Sequence, residues 1–308
     1  MDALARSPSP DAVPQAPTEQ ISAPPLEVVA PSRQTLPLVL SSPHSGSIYP
    51  ADFVANSRLD AHSLRRSEDA HVHELFAGGP TLGAPLLHAL FPRAYLDPNR
   101  EAYELDPMMF DGPLPHHANV RSPRVVAGLG TIARMVANGA DIYRGKLPVA
   151  EAEYRIATCY RPFHHALRSL IDATRDQFGF CILVDCHSMP SGISGHGVIE
   201  PPGGGADFVL GDCHGVSCAP AVIETARTVL TDRGFRVARN APYAGGYTTR
   251  HYGRPAERVH ALQIEINRRL YMDEATFAHL PAFAKIADTM TQVVAALGAL
   301  TQADFGDF

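Results

Sequence analysis

The sequence has 308 residues, of which 45% are hydrophobic, enough to bury the core of one large α/β domain or of two small ones. Its formal net charge of −6 argues against a nucleic-acid-binding protein, because phosphate neutralisation needs a surplus of lysine and arginine. No apolar run approaches the roughly 18–20 residues that a membrane-spanning helix needs. We therefore expect neither nucleic acid nor a membrane among its partners.

The N-terminal region differs in composition from the rest. Residues 1–34 are rich in proline, alanine and serine, and they lack the charged and apolar segments of a secretory signal. We predict a disordered leader over 1–34, because this composition buries too little surface to offset chain entropy, and one domain over 35–308. Five cysteines, an odd number, do not form a disulfide framework, which favours a cytoplasmic location.

Strands and helices alternate along the rest of the chain, and no internal repeat is present. In chain order we predict a strand at 36–42, a helix at 59–76, a strand at 85–90, a long loop at 101–125, a helix at 148–178, a strand at 180–185, a glycine-rich stretch at 192–205, a strand at 208–210, a helix at 219–233, a strand at 235–238, a glycine loop at 244–250, a strand at 259–266 and a helix at 273–300. This alternation predicts an α/β fold with a mixed, mostly parallel sheet flanked by helices.

Two histidines follow buried strands. His44 comes just after the strand at 36–42, and His187 comes just after the strand at 180–185. Ligands bind beyond the carboxyl ends of strands in such sheets, so a divalent metal could be held by both imidazoles. Glu68 and Asp69 offer the carboxylate that would complete the three protein ligands of a catalytic zinc. The alternative is that both histidines bond to the backbone at strand ends.

The stretch 262–268 alternates between apolar and polar residues. Gln263, Glu265 and Asn267 share one face of the predicted strand. A glutamate in the middle of the last strand could act as a general base towards a metal-bound water. The alternative is an ordinary edge strand with a solvated face.

Asn99 and Arg100 lie in a polar turn that follows another apolar run, and Arg93 stands six residues before Asn99. Arg93, Asn99 and Arg100 could bind a carboxylate, since the planar guanidinium group offers two parallel hydrogen bonds. The alternative is surface pairing with Glu101 and Glu104.

Other common catalytic motifs are absent from the sequence. It contains neither GxGxxG after a strand nor GxxxxGK[ST], which argues against nucleotide binding, and it has no GxSxG elbow. Cys186 and His187 are adjacent in a strand and would point to opposite faces, so they do not form a nucleophile–base pair.

Taken together, these segments resemble the N-formylglutamate amidohydrolase family over roughly residues 36–295. The matching segments are 42–46, Asp69 with Val72 and Leu75, 97–100, 128–132, 185–188, 245–248, 263–268 and 270–274. The family's motifs occur in the expected order, and their concurrence is far more specific than any one of them.

The resemblance implies a fold similar to the zinc carboxypeptidases and a metal-dependent hydrolase. It implies cleavage of N-formyl-L-glutamate, a small N-acyl amino acid, to formate and L-glutamate, at the end of a histidine-degradation route. The implied metal ligands are His44, Asp69 and His187, which would hold one zinc ion per chain or another divalent metal. The metal-ligand pattern departs from His-x-x-Glu of the carboxypeptidases, because Ser47 stands three residues after His44.

The resemblance also implies roles for the remaining residues. Glu265 matches the general base, Arg93 the arginine that stabilises the oxyanion, and Asn99 with Arg100 the clamp for a substrate carboxylate. We expect Arg250, in the glycine loop, to be a second carboxylate partner. The alternatives are a deacylase or peptidase for another small acidic N-acyl amino acid, or a non-catalytic metal-binding relative.

Overall fold

A seven-stranded β-sheet forms the centre of the computed structural model, which describes residues 24–136, 139–191 and 205–306. Its strands are β1 (Leu26–Val29), β2 (Leu38–Ser42), β3 (Leu86–Ala89), β4 (Cys181–Met189), β5 (Phe208–Gly211), β6 (Val237–Arg239) and β7 (Val259–Asn267). They lie side by side in the order β1-β3-β2-β4-β7-β5-β6.

The four neighbouring strands β3, β2, β4 and β7 are all parallel to one another. β5 is antiparallel to β7, β6 is parallel to β5, and β1 is antiparallel to β3. The predicted fold class, a mixed and mostly parallel sheet flanked by helices, is confirmed. Because the central strands are parallel, their carboxyl ends meet at one edge of the sheet.

Helices cover both faces of the sheet. Within the described ranges they are α1 (Ala51–Asn56), α2 (Ala61–Leu64), α3 (Val72–Leu75), α4 (Gly78–Leu82), α5 (Pro123–Val126), α6 (Val149–Arg155), α7 (Arg161–Phe178), α8 (Pro220–Asp232), α9 (Tyr247–Tyr252) and α10 (Phe283–Gly298). A π-helical turn, Ile156–Tyr160, joins α6 to α7, so the helix predicted at 148–178 is confirmed as one continuous helical segment. No helix in the described part of the chain is long and apolar enough to cross a membrane.

Two apolar cores lie on opposite faces of the sheet. Leu38 and Leu40 of β2 pack into the core beneath α3, α8 and α10, whereas Val39 packs into the core beneath α1 and α7. Successive side chains of a strand point to opposite faces, so a strand covered on both sides must be apolar throughout. This double burial explains the continuous apolar runs at 36–40 and 180–184, within the strands predicted at 36–42 and 180–185.

The N-terminal prediction is wrong for part of its length. The predicted leader extends to residue 34, but Leu26–Val29 forms β1 and pairs with β3 in the register Leu26↔Ala89. β1 is an edge strand whose side chains are mostly exposed, and it therefore has no apolar pattern that the sequence could reveal. Residues 1–23, like the glycine-rich stretch at 192–204, lie outside the described residues.

The single helix predicted at 59–76 is also wrong. The structure contains α2, a 3-10 turn at Arg65–Ser67 that directly follows it, and α3, with Glu68 and Asp69 in the non-helical residues before α3. The backbone N–H of Asp69 donates to the carbonyl oxygen of His44 at 3.0 Å, a contact with the loop after β2 that a continuous helix would not allow. The helix predicted at 273–300 begins ten residues later, at Phe283.

The loop after β2 passes close to the backbone that follows β3. A Cβ atom on Gly46 would overlap the carbonyl oxygen of Phe91, so only glycine fits here without moving the chain. Gly145, in an irregular segment, has no atom within 4 Å of the same position and offers a matched control.

We expect Gly46→Ala to lower the free energy of unfolding by about 1–3 kcal/mol, because overpacking forces the backbone to shift. Gly145→Ala should leave it nearly unchanged. Denaturant titrations of the two variants measure the difference, and equal stabilities would contradict the close approach of the two loops.

Candidate metal centre and active site

The candidate site lies where the parallel strands end. His44 follows β2 by two residues, and His187 lies near the end of β4, level with Glu265 of the neighbouring β7. Asp69 reaches the same place because its backbone N–H is bonded to the carbonyl of His44. Two residues from strand ends and one from an interrupted helix therefore converge, as the sequence predicts for His44, Asp69 and His187.

The three side chains present their potential ligand atoms to one another. Asp69 Oδ2 lies 3.3 Å from His44 Nδ1 and 3.0 Å from His187 Nδ1, and all three side chains are buried. Zinc bonds of about 2.0–2.1 Å place tetrahedrally arranged ligand atoms about 3.3 Å apart. These two distances, with all three ligand atoms within 4.8 Å of one another, are compatible with a small divalent cation.

The outer nitrogen of each histidine faces a second carboxylate. His44 Nε2 lies 2.7 Å from Asp97 Oδ1, and His187 Nε2 lies 2.9 Å from Asp185 Oδ1. When a histidine binds a metal, its other ring N–H usually donates to a carboxylate or a carbonyl, which fixes the orientation of the ring. His187 Nε2 also lies 3.0 Å from Asn99 Nδ2. All of these partners are side chains, so the alternative in which the two histidines serve to bond the backbone is wrong.

Glu68, the other carboxylate that the sequence offers, points elsewhere. Its Oε1 atom accepts a hydrogen bond of 2.6 Å from Tyr49 Oη, and its carboxylate pairs with Arg65 at 3.1 Å. The geometry therefore selects Asp69 over Glu68.

The charges around Asp69 explain how a carboxylate can be buried here. Arg268 Nη2 lies 3.0 Å from Asp69 Oδ1, and Arg93 Nη1 lies 4.0 Å from the same oxygen. Burial alone would raise the pKa of Asp69, but hydrogen bonds from His187 and His44 hold this pKa well below its usual range. Burial would lower the pKa of His187, but Asp185 and Asp69 hold it well above its usual value. The site thus keeps Asp69 ionised.

Glu265 lies beside His187 in a different electrostatic environment. Its side chain is buried, and Oε1 accepts a hydrogen bond of 2.9 Å from Gln263 Nε2. Burial, with the nearby charge of Asp69, raises the pKa of Glu265 to about 7 against the opposing effect of His187. A carboxyl group with a pKa near the working pH can both accept and donate a proton. β7 lies between β4 and β5, so the edge-strand alternative is wrong.

The predicted polar turn also reaches the site. Arg93 Nη2 pairs with Asp97 Oδ2 at 2.8 Å, and Arg100 Nη2 lies 3.5 Å from the same oxygen. Arg100 is only 7% exposed, and its Nε donates to the carbonyl oxygen of Leu129 at 3.1 Å, so the alternative of surface pairing with glutamates is wrong. Asn99 Oδ1 accepts from the backbone N–H of Thr248 at 2.8 Å.

The structure does not bring Arg250 to the site, and this prediction is wrong. α9 begins at Tyr247, and its first turn directs Thr249 Oγ1 towards Asp185 Oδ2, at 3.1 Å. Because each helical residue is rotated by about 100° from the one before it, the next side chain points away. Arg250 is exposed and lines a separate surface cavity with Gly253 and Arg254.

One cavity of about 390 Å³ joins the converging residues. Its wall includes Asp97, Tyr243 and the arginines Arg124 and Arg268, none of which the sequence analysis selected. Arg124 lies on α5, at the end of the loop predicted at 101–125, so part of this long loop does contribute to the site. Arg268 could have been suspected, because it directly follows the strand that carries Glu265.

Comparisons with known proteins agree with this geometry. The sequence profile of the N-formylglutamate amidohydrolase family matches residues 36–272. The N-formylglutamate deformylase of Pseudomonas putida is 31% identical over 242 residues, 78% of this chain and 83% of that protein. The N-formylglutamate deformylase of Pseudomonas aeruginosa is 32% identical over 257 residues, 82% of this chain and 89% of that protein.

Solved structures share the fold. The crystal structure of an N-formylglutamate amidohydrolase from Ralstonia eutropha superposes with a TM-score of 0.83 at 39% identity, over 88% of this chain and 96% of that one. A gene product of Agrobacterium tumefaciens, 19% identical, has the same fold with a TM-score of 0.60, over 89% of this chain and 95% of that one. The chain belongs to the N-formylglutamate amidohydrolase family.

Proposed function

We propose that this protein hydrolyses the formamide bond of N-formyl-L-glutamate to formate and L-glutamate, and that it requires a divalent cation, zinc in the first instance. The observation that carries the proposal is the convergence of three buried ligand atoms next to Glu265 in a cavity lined with arginines. Relatives at 31–32% identity named N-formylglutamate deformylases support the substrate. We further propose a cytoplasmic location, since all five cysteines are free thiols, and a role in histidine degradation.

His44, Asp69 and His187 would hold one cation per chain. Two histidines and a carboxylate leave a fourth position free, which is typical of catalytic zinc sites. When bound, such a cation supplies a water of lowered pKa and a Lewis acid for the amide carbonyl. Asp97 and Asp185 would keep both imidazoles oriented through their outer nitrogens.

Glu265 would carry the protons. Its carboxylate accepts a proton from the attacking water and then delivers that proton to the nitrogen of the leaving amine. The hydrogen bond from Gln263 and the pairing of β7 with β4 hold the carboxylate next to His187. A pKa of about 7 suits both halves of this transfer.

Arg93 would stabilise the oxyanion that develops on the formamide carbonyl. The guanidinium group lines the cavity, and its pairing with Asp97 at 2.8 Å fixes its orientation before substrate binds. Donors that are already oriented stabilise a developing charge without reorganisation.

The substrate carries two carboxylates, and the cavity offers arginines to bind them. We propose that Arg100, with Asn99, binds one carboxylate and that Arg124 takes the second place that we had expected for Arg250. Arg124 lines the cavity close to Arg100, and it has no ion-pair partner among the residues that the structure describes. An unpaired cation in a binding cavity is available to an acidic substrate.

Metal removal should abolish formate release from N-formyl-L-glutamate. A chelator should remove the cation from the triad His44, Asp69 and His187, and activity should be lost because the amide carbonyl loses its Lewis acid. Added zinc should restore activity. Full activity in protein stripped of metal would contradict the cation requirement. Tight metal binding with no hydrolysis of any N-acyl amino acid would instead favour a non-catalytic relative.

Glu265→Gln should lower kcat by about 10²–10⁴-fold, because the side-chain amide of glutamine cannot accept the proton of the attacking water. Its metal content should equal that of the unmodified protein. His187→Ala is the matched comparison, since it should lose both turnover and the metal of the triad. Unchanged turnover in Glu265→Gln would contradict its role as the base.

Arg124→Gln should lower kcat/KM for N-formyl-L-glutamate by about 10–100-fold, the usual worth of a hydrogen bond to a charged group. The kcat/KM for N-formyl-L-glutamine, which lacks the side-chain carboxylate, should fall less if Arg124 binds that carboxylate in N-formyl-L-glutamate. Arg250→Gln is the control, and it should leave kcat/KM unchanged for both substrates. Equal effects of the two substitutions would remove Arg124 from the binding site. Comparison with N-acetyl-L-glutamate and N-formyl-L-aspartate defines the acyl and side-chain preferences.

A further inference from the structure

We propose a second divalent-cation site, formed by His71, Glu74 and His279 on the surface beside α3. The potential ligand atoms of these residues all lie within 4.8 Å of one another. His71 Nδ1 lies 2.7 Å from Glu74 Oε1, and His279 Nε2 lies 3.5 Å from Glu74 Oε2. None of the three residues lines the cavity of the candidate active site.

Both the backbone and one ring nitrogen of His71 are held in place, and the bond of that nitrogen is of the kind that metal-binding histidines make. Its backbone is in the left-handed region, with φ of 65°, which is uncommon for a residue other than glycine. Its Nε2 lies 2.8 Å from the carbonyl oxygen of Phe277. A carbonyl oxygen only accepts hydrogen bonds, so Nε2 carries a proton and donates it, as the outer nitrogen of a metal ligand does.

The inner nitrogen of His71 then faces a negatively charged group. Nδ1 lies against the carboxylate of Glu74, and both atoms carry lone pairs when the ring has its single proton on Nε2. A divalent cation placed between Nδ1 and the carboxylate would be bound by both groups. A cation would also engage His279, whose ring contacts that of His71 at 4.2 Å between centroids.

The ring of His279 is held in place by an aromatic contact as well as by the contact of its Nε2 with Glu74. Its ring stacks on Phe283 at the start of α10, with centroids 3.8 Å apart and planes inclined by 9°. The side chains of His71, Glu74 and His279 are 22%, 41% and 39% exposed, so a cation could enter directly from solvent. The site is therefore oriented but open.

The donor set selects the class of cation. Two imidazoles and one carboxylate suit zinc and neighbouring transition metals such as cobalt and nickel, whereas magnesium and calcium prefer ligand sets made of oxygen atoms. The bound cation would join α3 to the segment around 272–279, two parts of the chain that are some two hundred residues apart in sequence. We therefore expect it to stabilise the fold locally; the inference does not depend on the reaction at the triad.

Metal counting on the full chain tests this site. The protein is loaded with zinc, excess metal is removed, and zinc is counted by elemental analysis. We expect two zinc ions per chain in the unmodified protein and one in each single variant, His279→Ala and His187→Ala. The double variant that combines these two substitutions should hold none. His279→Ala should retain formate release. The control is His117→Ala, which removes an exposed loop histidine and should leave two zinc ions.

A second measurement guards against loss of metal through misfolding. Zinc should raise the Tm of His187→Ala, in which only the proposed surface site remains, and it should not raise the Tm of His187→Ala with Glu74→Gln. Equal metal content in the unmodified protein and in His279→Ala, or an equal rise in Tm with and without Glu74→Gln, would overturn the proposal. Failure of formate release alone would contradict only the proposed reaction.

Discussion

The site depends on one buried carboxylate, Asp69, which two histidines and an arginine share. An isolated charge in the interior is costly, and here hydrogen bonds from His44 and His187 and an ion pair of 3.0 Å with Arg268 offset that cost. The backbone bond from Asp69 to the carbonyl of His44 holds the carboxylate at this position. That bond can form only because the chain is not helical at Asp69, between α2 and α3. The contact with the loop after β2 therefore outweighs the local tendency to continue the helix.

The parallel sheet places Glu265, the proposed proton-transfer group, beside His187, one of the candidate metal ligands. β4 and β7 pair in a register that sets His187 level with Glu265 and Asp185 level with Gln263. These four residues face the same side of the sheet, because alternate residues of a strand share a face, and three of them, His187, Gln263 and Glu265, line the cavity. The carboxylates of Asp97 and Asp185 form an outer layer behind the histidines, so each imidazole lies between two negative charges. Such a layer orients the rings and makes the centre attractive to a cation.

The sequence predicted the parts of the site that strand ends determine, namely His44, His187 and Glu265. The residue pattern alone could not choose between Glu68 and Asp69, and only the family resemblance pointed to Asp69, because the choice depends on which of them meets the loop after β2. Contacts between distant segments were likewise out of reach. Asp97 and Asp185 stand in the quoted motifs, but nothing in those motifs reveals that each faces a histidine. Arg250 was misplaced because a flexible-looking glycine loop contains α9, whose rotation turns that side chain away from Asp185.

In the proposed mechanism, the residues that would cleave the amide and the residues that would select the substrate differ in how their charges are balanced. Arg93 and Arg268 contact Asp69, and Arg93 and Arg100 lie against Asp97, so most cationic groups near the triad are already balanced by carboxylates. Arg124, on α5, lines the same cavity close to Arg100, but it belongs to the loop-derived part of the wall. An acidic substrate would thus be oriented by groups on α5 and the polar turn, while the bond to be cleaved faces groups at the ends of the strands. Changes in the loop could alter which acid is bound without disturbing Asp69 or its histidines, because the two sets belong to different elements of the fold.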